Sequence, residues 1–351
     1  TKMSNSSPLK SFFAYLAVCG IIAYGFYSFA SDTFFKYEED YTSFSYASDN
    51  EPTFTENFRM NGSGNLDVMT SGGKIMAQGH KGNEVEVRVF VRKNGKVLAD
   101  SDKLMKQLED GFDMRIEKSG STIYAHAKRK GNSMPWKQMS VSFEVMVPHN
   151  MSSKLKTSGG SIKIAELNGD QNLHTSGGSI NIEEVDGAID AKTSGGSIKI
   201  HEVEGELMAH TSGGSITIEN AEGNIVAKTS GGRISLNDVE ANNIDAKTSG
   251  GSIHVEGSAR MLKAHTSGGS IKANVRGLSE ALDLGTSGGS IHASVPASAG
   301  MDLDLKANRV NVDLNNFSGT AKKNYVQGAM NGGGMPVSMR TSGGSINLEF
   351  Q

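Results

Sequence analysis

Cysteine occurs once in these 351 residues, at Cys19, so no intramolecular disulfide and no thiolate-based metal site can form. Charge of one sign is also missing. With 35 Lys and Arg against 38 Asp and Glu, the net charge near −3 lacks the basic bias of nucleic-acid binders. Aromatic residues are scarce beyond the first sixth of the chain: fifteen of 23 lie in residues 1–60, and none lies in 151–300. The N-terminal segment therefore meets a different environment from the rest. No Walker or dinucleotide glycine pattern sits between a strand and a helix, which removes the usual phosphate-cradling motifs.

What is abundant is glycine, 43 residues of it, much of it in one motif. Thr-Ser-Gly-Gly-Ser-Ile begins at Thr157 and recurs with little change at Thr175, Thr193, Thr211, Thr229 (where Arg233 replaces the second Ser), Thr248, Thr266 and Thr286, in steps of 18, 18, 18, 18, 19, 18 and 20 residues. A final copy starts at Thr341, and an outlying relative runs from Thr70 to Ile75. A fixed period near 18 is the signature of a solenoid, in which each repeat buries too little alone and stacking makes the core continuous.

Within one repeat, counted from its threonine, position 6 is Ile (Ile162, Ile180, Ile198) and position 8 is aliphatic (Ile164, Ile182, Ile200). Position 13 is usually Gly, and positions 15 and 17 are aliphatic or Ala, as at Ile189 and Ala191. Alternation puts positions 6 and 8 inward on one strand, and 15, 17 and the threonine inward on the other. The two strands meet at two corners, Ser-Gly-Gly and the stretch ending in the position-13 glycine. The glycines supply positive φ and let stacked backbones approach closely. Buried threonine hydroxyls must then bond to one another or to corner backbone groups. The expected fold is all-β, a single-chain β-solenoid with about 18 residues and two strands per coil, and eight coils advance by roughly 40 Å.

Ser11 to Ala30 holds twenty uncharged residues, the length of a bilayer-spanning helix. Lys2 and Lys10 precede it and Asp32, Glu38, Glu39 and Asp40 follow. The positive-inside rule places residues 1–10 in the cytoplasm and the rest outside, with Tyr24, Phe26, Tyr27, Phe29, Phe34, Phe35 and Tyr37 as an aromatic belt or partner contact. A cleaved signal peptide ending near Ala30 and a lipoprotein signal around Cys19 are the competing readings. The expected localisation is a bacterial inner membrane, single-pass, with the solenoid in the periplasm or exterior.

Residues 31–57 read as a juxtamembrane linker, 58–150 as a β-rich cap, 151–300 as the solenoid and 301–351 as C-terminal coils and cap. In the first cap, Val85, Val87, Val89 and Val91 alternate up to the Asn94-Gly95 turn, and Ser101 to Glu109 carries an N-cap and apolar Leu104, Met105 and Leu108. Thr341 to Phe350 is expected to close the array.

Two outward columns carry charge. Position 18 reads His174, Lys192, His210, Lys228, Lys247, His265, a basic edge joined at position 7 by Lys163, Lys199, His254, Lys272 and His292. Positions 10 and 12 give an acidic edge, with Glu166, Glu184, Glu202 and Asp238 beside Asp186, Glu204, Glu222 and Glu240. Such edges either keep a β-surface soluble or dock a partner, a second copy or an anionic glycan. Lysines separate the histidines, which disfavours a metal, and no catalytic constellation, cofactor site or enzymatic cleft stands out. A nucleic-acid partner is not expected; a membrane-protein complex or homo-oligomer is.

LDVMTSGGKIMAQG at 66–79, the valine strand at 85–91, VMVPHNMSSKLKTSGGSI at 145–162 and NGGGMPVSMRTSGGSINLEF at 331–350 resemble the bacterial "putative adhesin" family of Ser-Gly-Gly-repeat β-solenoid domains over roughly residues 58–351. The resemblance implies the fold and carries over no catalytic residue. The functional expectation is a non-catalytic, membrane-anchored structural, adhesion or accessory subunit of an envelope complex. The alternative is a glycan-binding or polysaccharide-processing solenoid using a charged face.

Overall fold

The computed structural model describes residues 51–131, 138–297 and 300–351. The expected transmembrane span 11–30 and the aromatic contacts from Tyr24 to Tyr37 lie outside these residues. Among the described residues no helix is long and apolar enough to cross a membrane.

The chain from Asn50 to Gln351 forms one compact all-β unit. It begins with β1 (Phe54–Arg59), β2 (Gly64–Thr70), β3 (Ile75–His80), β4 (Glu84–Lys93) and β5 (Lys96–Val97). The one described helix, α1 (Asp102–Gly111), starts where the Ser101 side chain accepts from the Leu104 N–H, and it buries Leu104 and Leu108. Met105 does not join them; it stays exposed. Then come β6 (Phe112–Ser119), β7 (Thr122–Arg129), β8 (Met139–Pro148) and β9 (Met151–Thr157). The strand at Phe54 shows that the segment expected as linker up to residue 57 already belongs to the folded unit.

Each repeat supplies a seven-residue and a four-residue strand. These are β10 (Ile162–Asn168) and β11 (Gln171–His174), β12 (Ile180–Asp186) and β13 (Ile189–Lys192), β14 (Ile198–Glu204) and β15 (Leu207–His210), and β16 (Ile216–Glu222) and β17 (Ile225–Lys228). In β18 (Ile234–Lys247) and β19 (Ile253–His265) the second corner is extended and one strand runs through both sides of the coil. The array continues through β20 (Ile271–Arg276), β21 (Ala281–Thr286) and β22 (Ile291–Val295). Neighbours in the array pair in parallel, Ile162 on Ile180 on Ile198 and Leu173 on Ala191 on Ala209, with one register shift between Leu236 and Val239 where β18 meets β19. The inward positions are the core: Ile180, Ile198 and Ile216 are fully buried, as are Ala191 and Ala227.

The threonines are buried too, and their hydroxyls link successive coils. Thr175 Oγ1 donates to the Gly160 carbonyl at 2.7 Å and accepts from the Gly178 N–H at 3.3 Å. The pattern repeats at Thr193, Thr211, Thr229, Thr248, Thr266, Thr286 and Thr341. Of the two partners expected for these hydroxyls, the structure selects the corner backbone.

A third bend was not expected. Position 10 adopts left-handed φ in five successive coils: Glu166 (56°), Glu184 (51°), Glu202 (53°), Asn220 (52°) and Asp238 (48°). The physical reason is a slip of alternation. Positions 8 and 11 are both inward, so the chain must absorb one residue between them, and a single αL residue does so. Asn and Asp tolerate that conformation; Glu does so at a cost.

The ends differ from the expected order. The Thr70 corner is a genuine coil: β2 and β3 pair in parallel with β9 and β10, and Thr157 Oγ1 donates to the Gly73 carbonyl. Yet β2 and β3 also pair in parallel with β7 and β8, so the first coil in sequence lies second in space. The far end mirrors this. After β22 the chain builds β23 (Met301–Lys306) and β24 (Arg309–Val312), then the hairpin of β25 (Phe317–Lys322) and β26 (Tyr325–Met330), and last β27 (Met335–Thr341) and β28 (Ser345–Phe350). That last pair inserts between β21 and β22 on one side and β23 and β24 on the other. Thr341 to Phe350 is therefore not the outermost coil. Antiparallel strands, β4 and β6 at one end and the β25–β26 hairpin at the other, finish the stack.

Candidate functional site

Inward positions are filled mostly by aliphatics and threonine, with Gln171 and Ser153 buried against each other, so the accessible side chains are the outward columns, which the parallel register turns into ladders about 4.8 Å per step. Two such ladders stand out.

The first is acidic. The bend at position 10 and the strand end at position 12 enclose a groove of about 820 Å³ lined by Glu166, Glu184, Glu202 and Asp238 on one side and Asp186, Glu204, Glu222 and Glu240 on the other. Lys81 and His149 also line it. Partial burial, followed by the carboxylates of Glu166, Glu202 and Glu183, raises the Glu184 pKa above the ordinary value. No Phe, Tyr or Trp side chain lines the groove to hold a sugar ring. Among the described residues no group of three His, Cys, Asp or Glu side chains is placed to hold a metal ion.

The second ladder is basic, and longer than its sequence column. Within the array, position 18 aligns His174, Lys192, His210, Lys228, Lys247 and His265 strand by strand. At the N-terminal side the same row continues through Lys156, Met69 and His126 to Arg115. At the other side it passes Gly285 to Arg340, Lys306, Tyr325 and Lys322. The His265 ring leans over the space that a side chain at Gly285 would fill, 2.4 Å from the Cβ such a residue would carry. Twelve of these fifteen residues are Lys, Arg or His, on adjacent strands across one whole side of the solenoid. The sequence did not disclose this extension, because the register of the cap strands is not periodic.

The row is not uniformly charged. Lys192 pairs with Asp190 at 2.8 Å, Lys228 with Asp245 at 2.9 Å and His265 with Asp283 at 3.4 Å. His174, His210 and Lys247, on the strands between, have no ion-pair partner among the described residues. Lys156, on the strand next to His174, has no ion-pair partner among the described residues either. Toward the N-terminal cap, Arg115 lies over the Tyr124 ring at 3.7 Å, and His126 Nε2 lies 2.9 Å from Asp67.

The position-7 residues lie on the other strand of each coil and do not form a comparable row. Asn181, Thr217 and Ser235 interrupt Lys163, Lys199, His254 and Lys272. Burial is the main cause that lowers the pKa values of Lys163 and His254, with Lys272 adding to it at His254. The aromatic contacts proposed between Tyr24 and Tyr37 lie outside the described residues.

Residues 186–349 match the family model described as Toastrack DUF4097. No curated protein matches the chain. Solved structures similar to it include a "putative lipid binding protein" from Parabacteroides distasonis, 15% identical, covering 85% of this chain and 96% of that one with a TM-score of 0.39. A "putative adhesin" from Bacteroides fragilis is 11% identical over 84% of this chain and 96% of its own, with a TM-score of 0.34. A second "putative adhesin", from Parabacteroides distasonis, is 12% identical over the same shares, also with a TM-score of 0.34. The Toastrack match spans the array from Asp186 and the C-terminal cap, and leaves the N-terminal cap outside it.

Proposed function

We propose that this protein is a non-catalytic, membrane-anchored β-solenoid outside the cytoplasm, acting as a structural, adhesion or accessory subunit of a bacterial envelope assembly. One observation carries the reading: the rod spends its interior on stacking and presents charged ladders outward, and no Phe, Tyr or Trp lines the acidic groove. The twenty uncharged residues 11–30 support the anchor, and the aromatic bias of residues 1–60 supports a protein contact there. The test is purification of the intact protein in mild detergent. A partner or a homo-oligomer should co-purify, and should be lost when residues 31–50 are replaced by a Gly-Ser linker. Recovery of free monomer alone would overturn the proposal. The basic row favours a second reading, a solenoid that binds an anionic glycan.

A further inference from the structure

We propose that β25, the last strand beyond β21, β27, β23 and β26, is an open edge that pairs antiparallel with β25 of a second copy of this chain, joining two solenoids end to end into a closed dimer. The proposal goes beyond the subunit reading and does not depend on the contact at residues 31–50.

The backbone is the first argument. Among the described residues β25 pairs with β26 alone, and every residue from Ser318 to Lys322 is exposed. The Asn331 N–H donates to the Asn316 carbonyl at 3.0 Å, which makes these two a hydrogen-bonded pair. Antiparallel alternation then ties Ser318 and Thr320 to β26 and turns the N–H and C=O groups of Phe317, Gly319 and Ala321 to the open side. The other end strands are guarded. β1 carries Glu56 and Arg59, and β6 carries Asp113, Arg115, Glu117 and Lys118. On β24 the Val310 N–H already donates to the Lys323 carbonyl at 2.8 Å. Only Phe317 to Ala321 offers an uncharged run along an end strand, the composition that sheet edges ordinarily avoid.

The occupant follows from the register. Pairing Gly319 with its own counterpart sets Phe317 opposite Ala321 and Ser318 opposite Thr320 of the second copy, so each open backbone group of this run finds a partner. Beyond the run, each copy presents Asn315 and Asn316 to the other's Lys322 and Lys323, and no like charges meet. Glycine at the axis lets the backbones approach. The Phe317 ring already covers Gly319 and Gly328, its Cζ 2.9 and 2.8 Å from where their Cβ atoms would stand, so the ring replaces the missing side chains. A two-fold contact uses one edge on each copy and closes on itself, while the charged edges of β1 and β6 offer a third copy no equivalent place. A strand this short binds weakly, so the dimer forms with concentration and dissociates on dilution. Backbone groups rather than charges hold it, so salt does not dissolve it.

The experiment is sedimentation velocity on the full-length protein in mild detergent, over a concentration series. A monomer–dimer equilibrium should appear, with the same dissociation constant in low and high salt, and again after residues 31–50 are replaced by a Gly-Ser linker. S318K/T320K sets lysines opposite each other across the axis and should raise the dissociation constant by about tenfold or more. S318K/T320E sets opposite charges together in the same register and should restore dimerisation. Both side chains are exposed, so neither variant disturbs the fold. A321P removes an N–H that β26 does not use, and should weaken the dimer while its melting curve overlays the parent's. The proposal is overturned by a monomer at every concentration, by a dimer that S318K/T320K leaves intact, or by S318K/T320E dimerising no better than S318K/T320K. Assemblies that grow beyond the dimer, or a different protein held on this edge while the chain itself stays monomeric, overturn it as well. Loss of the dimer with partner co-purification intact leaves the subunit reading standing; the reverse outcome removes that reading alone.

Discussion

Thr211 Oγ1 donates to the Gly196 carbonyl in the coil before it at 2.7 Å, and accepts from the N–H of Gly214 in its own corner at 3.3 Å. One hydroxyl thus serves two coils, and the threonine methyl helps fill the narrow end of the core. T211V keeps the shape and removes both bonds, stripping Gly196 of this donor and Gly214 of its acceptor. We expect it to cost about 1–3 kcal/mol in denaturant unfolding, and T211S, which retains the hydroxyl, to cost less.

The two corner glycines differ in kind. A Cβ at Gly214 would sit 2.1 Å from the Gly196 carbonyl oxygen, whereas at Gly213 it would sit 3.5 Å from the nearest atom. G214A must push stacked backbones apart and should destabilise by more than about 3 kcal/mol. G213A should change stability by no more than about 0.5 kcal/mol. Equal effects from the two would refute the stacking account. Paired thermal melts decide it.

Glu184 provides a pH prediction. Its folded-state pKa is raised, chiefly by burial and then by Glu166 and Glu202. A carboxyl with a raised pKa favours folding only when protonated, so its contribution is present below the unfolded value and is lost as pH rises through the folded one. E184Q should therefore melt higher than the parent at pH 7, and the gap should close as pH falls into the carboxylate range. The gain is small because the side chain is largely solvated. A gap that widens on acidification would contradict the sign.

Glu202 tests the strained bend. Its φ of 53° is a conformation that asparagine, present at the equivalent Asn220, adopts more readily. E202N should stabilise the chain by about 0.5–1 kcal/mol, and E202G by a similar or smaller amount because glycine also frees the unfolded state. Destabilisation by both would show that the left-handed residue is not strained.

Much of this fold is legible in the sequence because a repeat reports its own geometry. Inward Thr and Ile, corner Gly and outward Glu each recur at a fixed offset, and Ser101 marks its helix through the hydroxyl that caps Leu104. Three features escape that logic. The bend at Glu166 and its equivalents is invisible because glutamate is not a left-handed residue by preference; only the paired outward positions 9 and 10 hint at it. The extension of the basic row to Arg115, His126, Arg340 and Lys306 depends on cap registers that no period encodes. The order of the terminal coils is hidden because every Ser-Gly-Gly corner looks alike, so Thr341 reads as the last coil when it is the last but one.

That inserted coil makes completion of the rod depend on strands that follow every coil they join. Coils from Thr157 to Thr286 can add one by one as they emerge, each pairing with a neighbour about 18 residues back. Loop closure at that range is inexpensive and fast. The place beside β21 and β22 stays vacant until Met335 to Phe350 arrives, and until then β23 and β24 have no parallel partner. A chain without Met335 to Phe350 would leave those sheet edges unpaired. Met335 to Phe350 is therefore the wedge that joins two otherwise unpaired sheet edges.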